Sequence, residues 1–242
     1  MKKLISLIFA FQIITNIHSY ANENINSVDS ILYKAYISQN KNIPINLIKK
    51  LSKEKSSFEN TFLLLKVQYA LLYFNTYYNP DKELHNTYIN EAKANADKLI
   101  ENNQYLTEVY TIKASLYGIE IGFSPMKGVY LGSSIEACIN KAAKCNQFYP
   151  FLWATKGRAL VSKPSAFGGD INAGIEMYNR ALTLYINGKT KWDWEFLDTN
   201  LQIALAYLNL NDKEKAKIYL CNILKIEPDF ELAKWFLNNK CN

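Results

Sequence analysis

Histidine, glycine and proline are scarce in this chain of 242 residues. Of its two histidines, His18 lies in the N-terminal segment that is expected to be cleaved off as a signal peptide, which leaves only His85 and excludes a multi-histidine metal site. Nine glycines and six prolines are too few for a collagen-like or linker-dominated chain, and they argue against an all-β fold, which needs frequent turns. An apolar fraction of 49% excludes general disorder. A folded, helical chain is therefore expected.

Arginine is also rare, since Arg158 and Arg180 are the only two. With a formal net charge of +6, this favours neither a phosphate-clamping surface nor a nucleic-acid surface. The absence of a CxxC motif gives no support to a zinc site or a thioredoxin-type redox site. The sequence leaves open whether any of its four cysteines form disulfides; they are Cys138, Cys145, Cys221 and Cys241. A bridge between Cys138 and Cys145 is not expected, because seven residues on one predicted helix separate them by roughly 10 Å.

The N-terminus has the pattern of a secretory signal peptide. Lys2 and Lys3 precede an apolar stretch over residues 4–17, and Ser19 and Ala21 place small residues at a cleavage site after Ala21. The alternative is an uncleaved membrane anchor, although the stretch is short for a span of about 20 residues. No cysteine lies near the cleavage site, so a lipoprotein is not expected. We expect export to the bacterial periplasm and no stable membrane insertion after cleavage.

Apolar residues recur at helical spacing almost everywhere after residue 25. The apolar run 62–74 is broken by Lys66 and Gln68 and therefore predicts a buried core helix, not a membrane span. No segment predicts a strand. The predicted helices are 27–39, 43–54, 57–78, 81–101, 105–122, 133–147, 150–162, 170–187, 195–209, 212–226 and 229–239.

The last helix pair has the internal spacing of a tetratricopeptide unit. Ala204 takes the small position at which two helices approach closely, and Ala216 follows 12 residues later. Leu220 and Ile223 come at the next two packing positions, and Pro228 closes the unit. These positions must be small or apolar because the second helix packs into the first through them.

Two earlier pairs repeat this pattern with a longer inner turn. In one of them Gly157 and Gly174 are 17 residues apart instead of 12, and in the other Gly118 and Ile135 have the same separation. We therefore predict an all-α, TPR-like α-solenoid, a stack of antiparallel helix pairs. Its predicted parts are a signal peptide (1–21) and one helical-repeat domain (22–242), which consists of a divergent N-terminal cap (22–56), about four helix pairs (57–228) and a C-terminal capping helix (229–242).

An ordered series of short motifs begins at residue 124. It contains Ser124-Pro125-Met126-Lys127-Gly128 and, later, Phe167-Gly168-Gly169-Asp170. In these motifs the chain resembles a group of poorly characterised bacterial extracytoplasmic tetratricopeptide-repeat proteins. It is more loosely similar, through the second motif, to the periplasmic T-component of TRAP transporters. The resemblance implies a right-handed helical stack and export, and it implies no established activity.

The two lengthened turns, 123–132 and 163–170, are expected to be neighbours on one edge of the stack and to hold part of a binding site. In the alternative interpretation, Asp170 only caps a helix and the turns only pack together. Trp192 and Trp194, before a later helix, are either loop anchors or binding anchors. The candidate binding residues are Lys127, Tyr130, Arg158, Asp170, Trp192 and Trp194, and the structural loop residues are Pro125, Gly128, Gly132, Phe167, Gly168 and Gly169.

The inventory of reactive groups is poor, and it predicts a non-enzymatic protein without a cofactor. His85 lies in a pattern that indicates a solvated helix face. The leading hypothesis is an exported binding or scaffold protein whose groove holds a protein, a peptide or a small ligand, without a nucleic-acid partner. The alternative is a periplasmic accessory of a transport system that binds a small organic ligand. A closed, aromatic-lined tunnel would favour the alternative, and an open groove would favour the leading hypothesis.

Overall fold

A computed structural model describes residues 27–77, 80–188 and 193–241. These ranges contain eleven α-helices and no strand, which confirms the predicted all-α fold and the approximate position of each helix. The predicted signal peptide lies outside the described residues. None of the described helices is both long and apolar enough to cross a membrane. The helices are α1 (27–38), α2 (Asn42–Leu51), α3 (Phe58–Phe74), α4 (Lys82–Glu101), α5 (Leu106–Phe123), α6 (Gly128–Cys145), α7 (Pro150–Ser162), α8 (Ile171–Gly188), α9 (Trp194–Asn209), α10 (Lys213–Ile226) and α11 (Glu231–Lys240).

Polar residues cap the start of many of these helices. A side-chain oxygen before the helix accepts a hydrogen bond from a backbone N–H of the first turn, which has no partner inside the helix. The sequence therefore determines these starting points locally. The residues that cap in this way are Ser57, Asp81, Asp170, Asp193 and Asp212.

The helix pairs stack so that the first helices of the pairs pack against one another. These are α3, α5, α7 and α9, and together they form what we call the inner face. Thirteen of the 17 residues of α3 are buried, against five of the 20 in its partner α4, so the first helices form most of the core. This arrangement is the α-solenoid that the sequence predicts.

Gly157 and Gly174 lie where α7 and α8 cross, as their spacing predicts. A Cβ atom at Gly157 would lie 2.8 Å from the Tyr178 ring and 2.9 Å from the Gly174 carbonyl oxygen, so only glycine fits. The corresponding prediction for Gly118 is wrong. Gly118 is exposed, and a Cβ atom there would meet nothing within 4 Å. Gly118 therefore does not lie at the contact between α5 and α6.

The predicted start of α6 is also wrong. The glycines at 128 and 132 suggested a loop as far as residue 132, but α6 begins at Gly128. A 3₁₀ turn over Pro125–Lys127 leads directly into the helix, so most of the extra residues of this pair are helical. Gly128, Tyr130 and Gly132 thus belong to the first turns of α6, not to a loop.

The first helix, α1, lies against the inner face. The Tyr36 side chain is fully buried, with its ring centroid 5.2 Å from those of Phe74 in α3 and Trp194 in α9, and 4.9 Å from that of Phe230 before α11. The Tyr33 hydroxyl donates to Glu227, which directly follows α10. The segment predicted as an N-terminal cap therefore also contacts the C-terminal end of the stack.

Candidate functional site

A buried carboxylate on the inner face joins four helices. One oxygen of Asp198 in α9 accepts hydrogen bonds from the hydroxyls of Tyr36 (2.7 Å) and Tyr77 (2.5 Å). The other accepts from the Tyr73 hydroxyl (2.8 Å) and from Nη2 of Arg158 in α7 (2.9 Å). Burial raises the pKa of all three tyrosines well above the ordinary value, and the charge of Asp198 raises it further. These hydroxyls therefore act as donors that hold the carboxylate in place.

Arg158, a predicted binding residue, belongs to this buried network. Its guanidinium carbon also lies 4.3 Å from the centroid of the Tyr73 ring, which is a cation–π geometry. An arginine bonded to an internal carboxylate is engaged in holding α7 against α9. Its role in the described structure is to connect helices.

A pocket of about 240 Å³ opens beside this network on the inner face. It lies near the N-terminal ends of α3, α5, α7 and α9, and Leu32 of α1 forms one wall. The rings of Phe62 and Tyr105 stack at a centroid distance of 4.2 Å. The aromatic residues of its lining are Phe62, Tyr69, Tyr105, Tyr149 and Trp194.

Charged side chains reach the same pocket. Lys66 of α3 pairs with Asp29 of α1 at 2.5 Å, and Glu108 and Glu195 lie in the first turns of α5 and α9. Burial raises the pKa of Glu108 above its usual range, and it raises that of Glu195 further, with the charge of Asp193 adding to the effect. Buried acids with raised pKa values are a frequent feature of binding and active sites.

The predicted residues Lys127 and Tyr130 lie at the other end of α5. Lys127 Nζ contacts Glu120 at 2.6 Å, and Lys93 contacts the same carboxylate at 2.9 Å. Burial of Glu120 opposes its ionisation, but the hydrogen bonds from these two lysines lower its pKa overall. Lys127 is thus part of an ion-pair network that connects the 3₁₀ turn before α6 to α4 and α5. Tyr130 is 58% exposed.

Large apolar side chains are exposed at both lengthened turns. Met126 is 81% exposed and Val129 88% in the first, and Phe167 is 73% exposed in the second. Packing between the turns therefore does not explain Met126 and Phe167. No hydrogen bond or ion pair joins 123–132 to 163–170 in the described structure, and their proximity remains a prediction.

Asp170 and its glycines have structural roles. The Asp170 carboxylate accepts a hydrogen bond from the backbone N–H of Ala173 (3.0 Å), which caps α8 as expected. Gly168 has a φ of 87°, in the left-handed region that favours glycine. A Cβ atom at Gly169 would lie 1.7 Å from the Lys163 carbonyl oxygen, so the chain approaches itself too closely for any other residue.

The structure tests the predicted anchor role for only one of the two tryptophans. Trp192 lies outside the described residues. Trp194 is 4% exposed and packs against Tyr36, Tyr69 and Phe74, so it is a core anchor whose edge reaches the pocket.

The structure brings Trp194 together with residues that the sequence analysis did not select. The sequence did contain an indication of this pocket. Lys66, Glu108 and Glu195 each place a charged residue in the first helix of a pair, among many apolar residues. Such a charge must either be paired inside the protein or face a cavity.

The prediction of a solvated face for His85 is wrong. The ring is 5% exposed and stacks on Phe123 at a centroid distance of 4.1 Å. Burial lowers the pKa of His85, which favours the neutral imidazole. The reason is that α4 turns this face toward the end of α5.

Metal-binding and redox groups are sparse in the described structure. Within residues 27–77, 80–188 and 193–241 there is no group of three or more His, Cys, Asp or Glu residues that could hold a metal ion. All four cysteines are free thiols, with Cys138 buried and Cys145 exposed.

Residues 197–230 match the family model of the tetratricopeptide repeat. The match covers α9, α10 and the turn before α11, which is the pair whose spacing predicts such a unit. A comparison with curated proteins finds no match. Repeats of this kind typically provide a protein-interaction surface or a scaffold, and the fold is typically non-enzymatic.

Proposed function

We propose that this chain is an exported, non-enzymatic binding protein that holds a small organic molecule in the pocket of the inner face. One observation carries the proposal: α1 lies on the inner face, where a helical-repeat stack would otherwise offer an open groove. Among the described residues, the space beside α1 is a pocket of about 240 Å³, which is small for an extended peptide. This favours a small ligand over a peptide or a protein segment at this position.

The pocket has the composition of a small-molecule site. Such sites are lined mainly by apolar and aromatic groups with a few polar side chains, and those for drug-sized ligands measure roughly 300–1,000 Å³. At about 240 Å³, with five aromatic residues and three charged ones, this pocket suits a ligand somewhat smaller than a drug.

A fragment screen tests the small-ligand proposal. Fragments would be ranked by the rise in melting temperature, and hits would be retested on Ile112→Phe, which adds volume at a pocket-lining position. Ile218→Phe makes the same change on the exposed face of α10 and serves as control. We expect hits that bind the wild type and Ile218→Phe but not Ile112→Phe. Hits that bind all three proteins equally would place the binding site elsewhere.

A second candidate function is an accessory role in a transport system, in which the protein passes its ligand to a membrane partner. Two observations favour it, namely the aromatic lining of the pocket and the exposed apolar side chains at the far ends of α5 and α7. The α5 helix, with 18 residues, is about 27 Å long, and its pocket-lining residues lie in its N-terminal half. Ligand and partner would thus bind at different ends of the same helices.

Co-sedimentation with membranes from the source cells tests the accessory role. The double variant Met126→Ser/Phe167→Ser removes two exposed apolar side chains of the lengthened turns. Phe148→Ser is the control, because Phe148 is 70% exposed in the turn between α6 and α7, on another edge. We expect the double variant to lose sedimentation and the control to retain it. Equal sedimentation of all three proteins would contradict a role for this edge.

A further inference from the structure

Acidic side chains outnumber basic ones at the pocket, which is lined by Glu108, Glu195 and Lys66. Lys66 interacts electrostatically with four acidic side chains, which are those of Asp29, Glu108, Asp193 and Glu195. Lys66 forms its ion pair with Asp29. Within the described residues, neither Glu108 nor Glu195 forms an ion pair with a lysine or an arginine. One lysine therefore faces four acids around a cavity.

Other charged groups do not balance this excess in the described structure. The charge of Arg158 acts on Glu195, but the guanidinium is bonded to Asp198. Tyr149 is also close to both pocket acids, since burial first and then the charges of Glu195 and Glu108 raise its pKa well above the ordinary value. Two carboxyls and a phenol therefore converge on one cavity.

The walls of the pocket suit a positive charge. The faces of aromatic rings carry negative potential and attract ammonium groups within about 6 Å, most strongly when water is excluded. The Phe62 ring stacks on Tyr105 and already has Lys66 Nζ at 5.9 Å from its centroid, which shows that an ammonium group is accommodated in this way here. Tyr69 and Trp194 line the same space. Proteins commonly recognise quaternary ammonium groups through such aromatic rings.

We propose that the pocket binds a small organic cation, an ammonium compound whose charge is neutralised by Glu108 and Glu195 and whose alkyl groups contact the aromatic walls. This inference rests on the proposed small-ligand function and names the ligand class. It also gives a reason for two partly buried acids that form no ion pair within the described residues, because a bound cation supplies a partner of opposite charge.

An alternative explanation of Glu108 and Glu195 is that each acid only stabilises its own helix. An acid in the first turn stabilises the positive end of its own helix, and Glu214 in α10 has this position. Glu214, however, is exposed, whereas Glu108 and Glu195 are partly buried and line the pocket. Glu214 is therefore a matched control for a function that depends on the pocket.

The test uses calorimetry with choline and with 3,3-dimethylbutan-1-ol, the neutral compound of the same shape, and with tetramethylammonium and ethanolamine as further ammonium probes. We expect at least one ammonium probe to bind the wild type, and choline to bind at least about tenfold more tightly than its neutral counterpart. In Glu108→Gln/Glu195→Gln this preference should disappear. In Glu214→Gln it should remain unchanged.

The outcomes separate this inference from the function on which it rests. If the neutral compound binds as tightly as choline, the cation inference is overturned and the small-ligand function stands. The same conclusion follows if no ammonium probe binds while neutral or anionic fragments bind in the Ile112-dependent manner described above. If Glu108→Gln/Glu195→Gln melts earlier than the wild type but keeps the preference for choline, the two acids are structural and the inference is wrong. Single Glu→Gln variants repeat the measurement if the double variant does not fold.

Discussion

At the scale of single residues, the inner face is held together by charged side chains that are buried or partly buried in the protein. Each oxygen of Asp198 is contacted in the core either by two hydroxyls or by a hydroxyl and a guanidinium. A buried carboxylate without such donors would be strongly destabilising. The acids at the pocket have fewer described partners, and their raised pKa values reflect this difference.

Substitution of Asp198 tests the role of the network. Asp198→Asn leaves the Arg158 guanidinium buried without its counter-charge, and we expect a loss of about 3–5 kcal/mol in the free energy of unfolding. Asp212→Asn, at an exposed helix cap where asparagine also caps, should change stability by only a few tenths of a kcal/mol. Denaturant titration measures both. A small effect at Asp198 would mean that the network contributes little to stability.

The second residue-scale prediction concerns pH. Burial, with the nearby charge of Asp29, raises the pKa of Asp193 to about 6 from the model-compound value of 3.8. The folded chain therefore holds this proton more tightly than the unfolded chain, and wild-type stability falls as the pH rises from about 4 to 7. Asp193→Asn keeps a capping side chain and lacks this titration. The variant should gain about 1–3 kcal/mol relative to the wild type between pH 4 and pH 7, measured by denaturant titration. A constant difference across that range would contradict the assignment.

At the scale of helices, the repeat pattern determines which positions are tightly packed. The close crossing of α7 and α8 needs two glycines, while the equivalent position in α5 is exposed to solvent. Equal spacing in sequence therefore does not give equal packing.

Two matched glycine substitutions test this difference. Gly157→Ala should destabilise the protein by about 1–3 kcal/mol, because the added methyl group overlaps Tyr178 and the Gly174 carbonyl. Gly118→Ala should stabilise it by about 0.5–1 kcal/mol, since alanine favours the helix and meets no neighbour. Melting temperatures of the two variants give the sign of each effect. Similar losses at both positions would restore the original prediction for Gly118.

At the scale of the whole molecule, α1 links the two ends of the stack. In a simple solenoid each repeat contacts only its neighbours, so a local change affects local stability. Here Tyr36 contacts α3, α9 and the residue before α11. The ends of the stack are therefore coupled through one helix.

Hydrogen exchange tests the coupling. Tyr36→Ala should cost about 3–5 kcal/mol and should lower amide protection in both α3 and α9. Leu47→Ala in α2, which packs against α3, should lower protection near α2 and α3 only. Loss confined to the N-terminal helices in both variants would show that α1 does not link the ends.

A further prediction at this scale concerns the compartment. We expect the mature chain to start near Asn22 and to be released by osmotic shock, because residues 1–21 have the pattern of a cleaved signal peptide. N-terminal mass spectrometry of the shock fraction measures this. Full-length protein in the membrane fraction would instead indicate an uncleaved anchor.

The helices, the Asp170 cap and the repeat register of the last two pairs followed from the sequence, because these properties depend on residues close together in the chain. Apolar spacing predicted eleven helices, and Ala204 and Ala216 located the unit that matches the repeat family. The tertiary structure alone placed α1 against α9 and brought Lys66, Glu108 and Glu195 to one pocket. Those contacts join residues more than 40 positions apart. Their geometry depends on how successive helix pairs rotate, and no local pattern encodes that rotation.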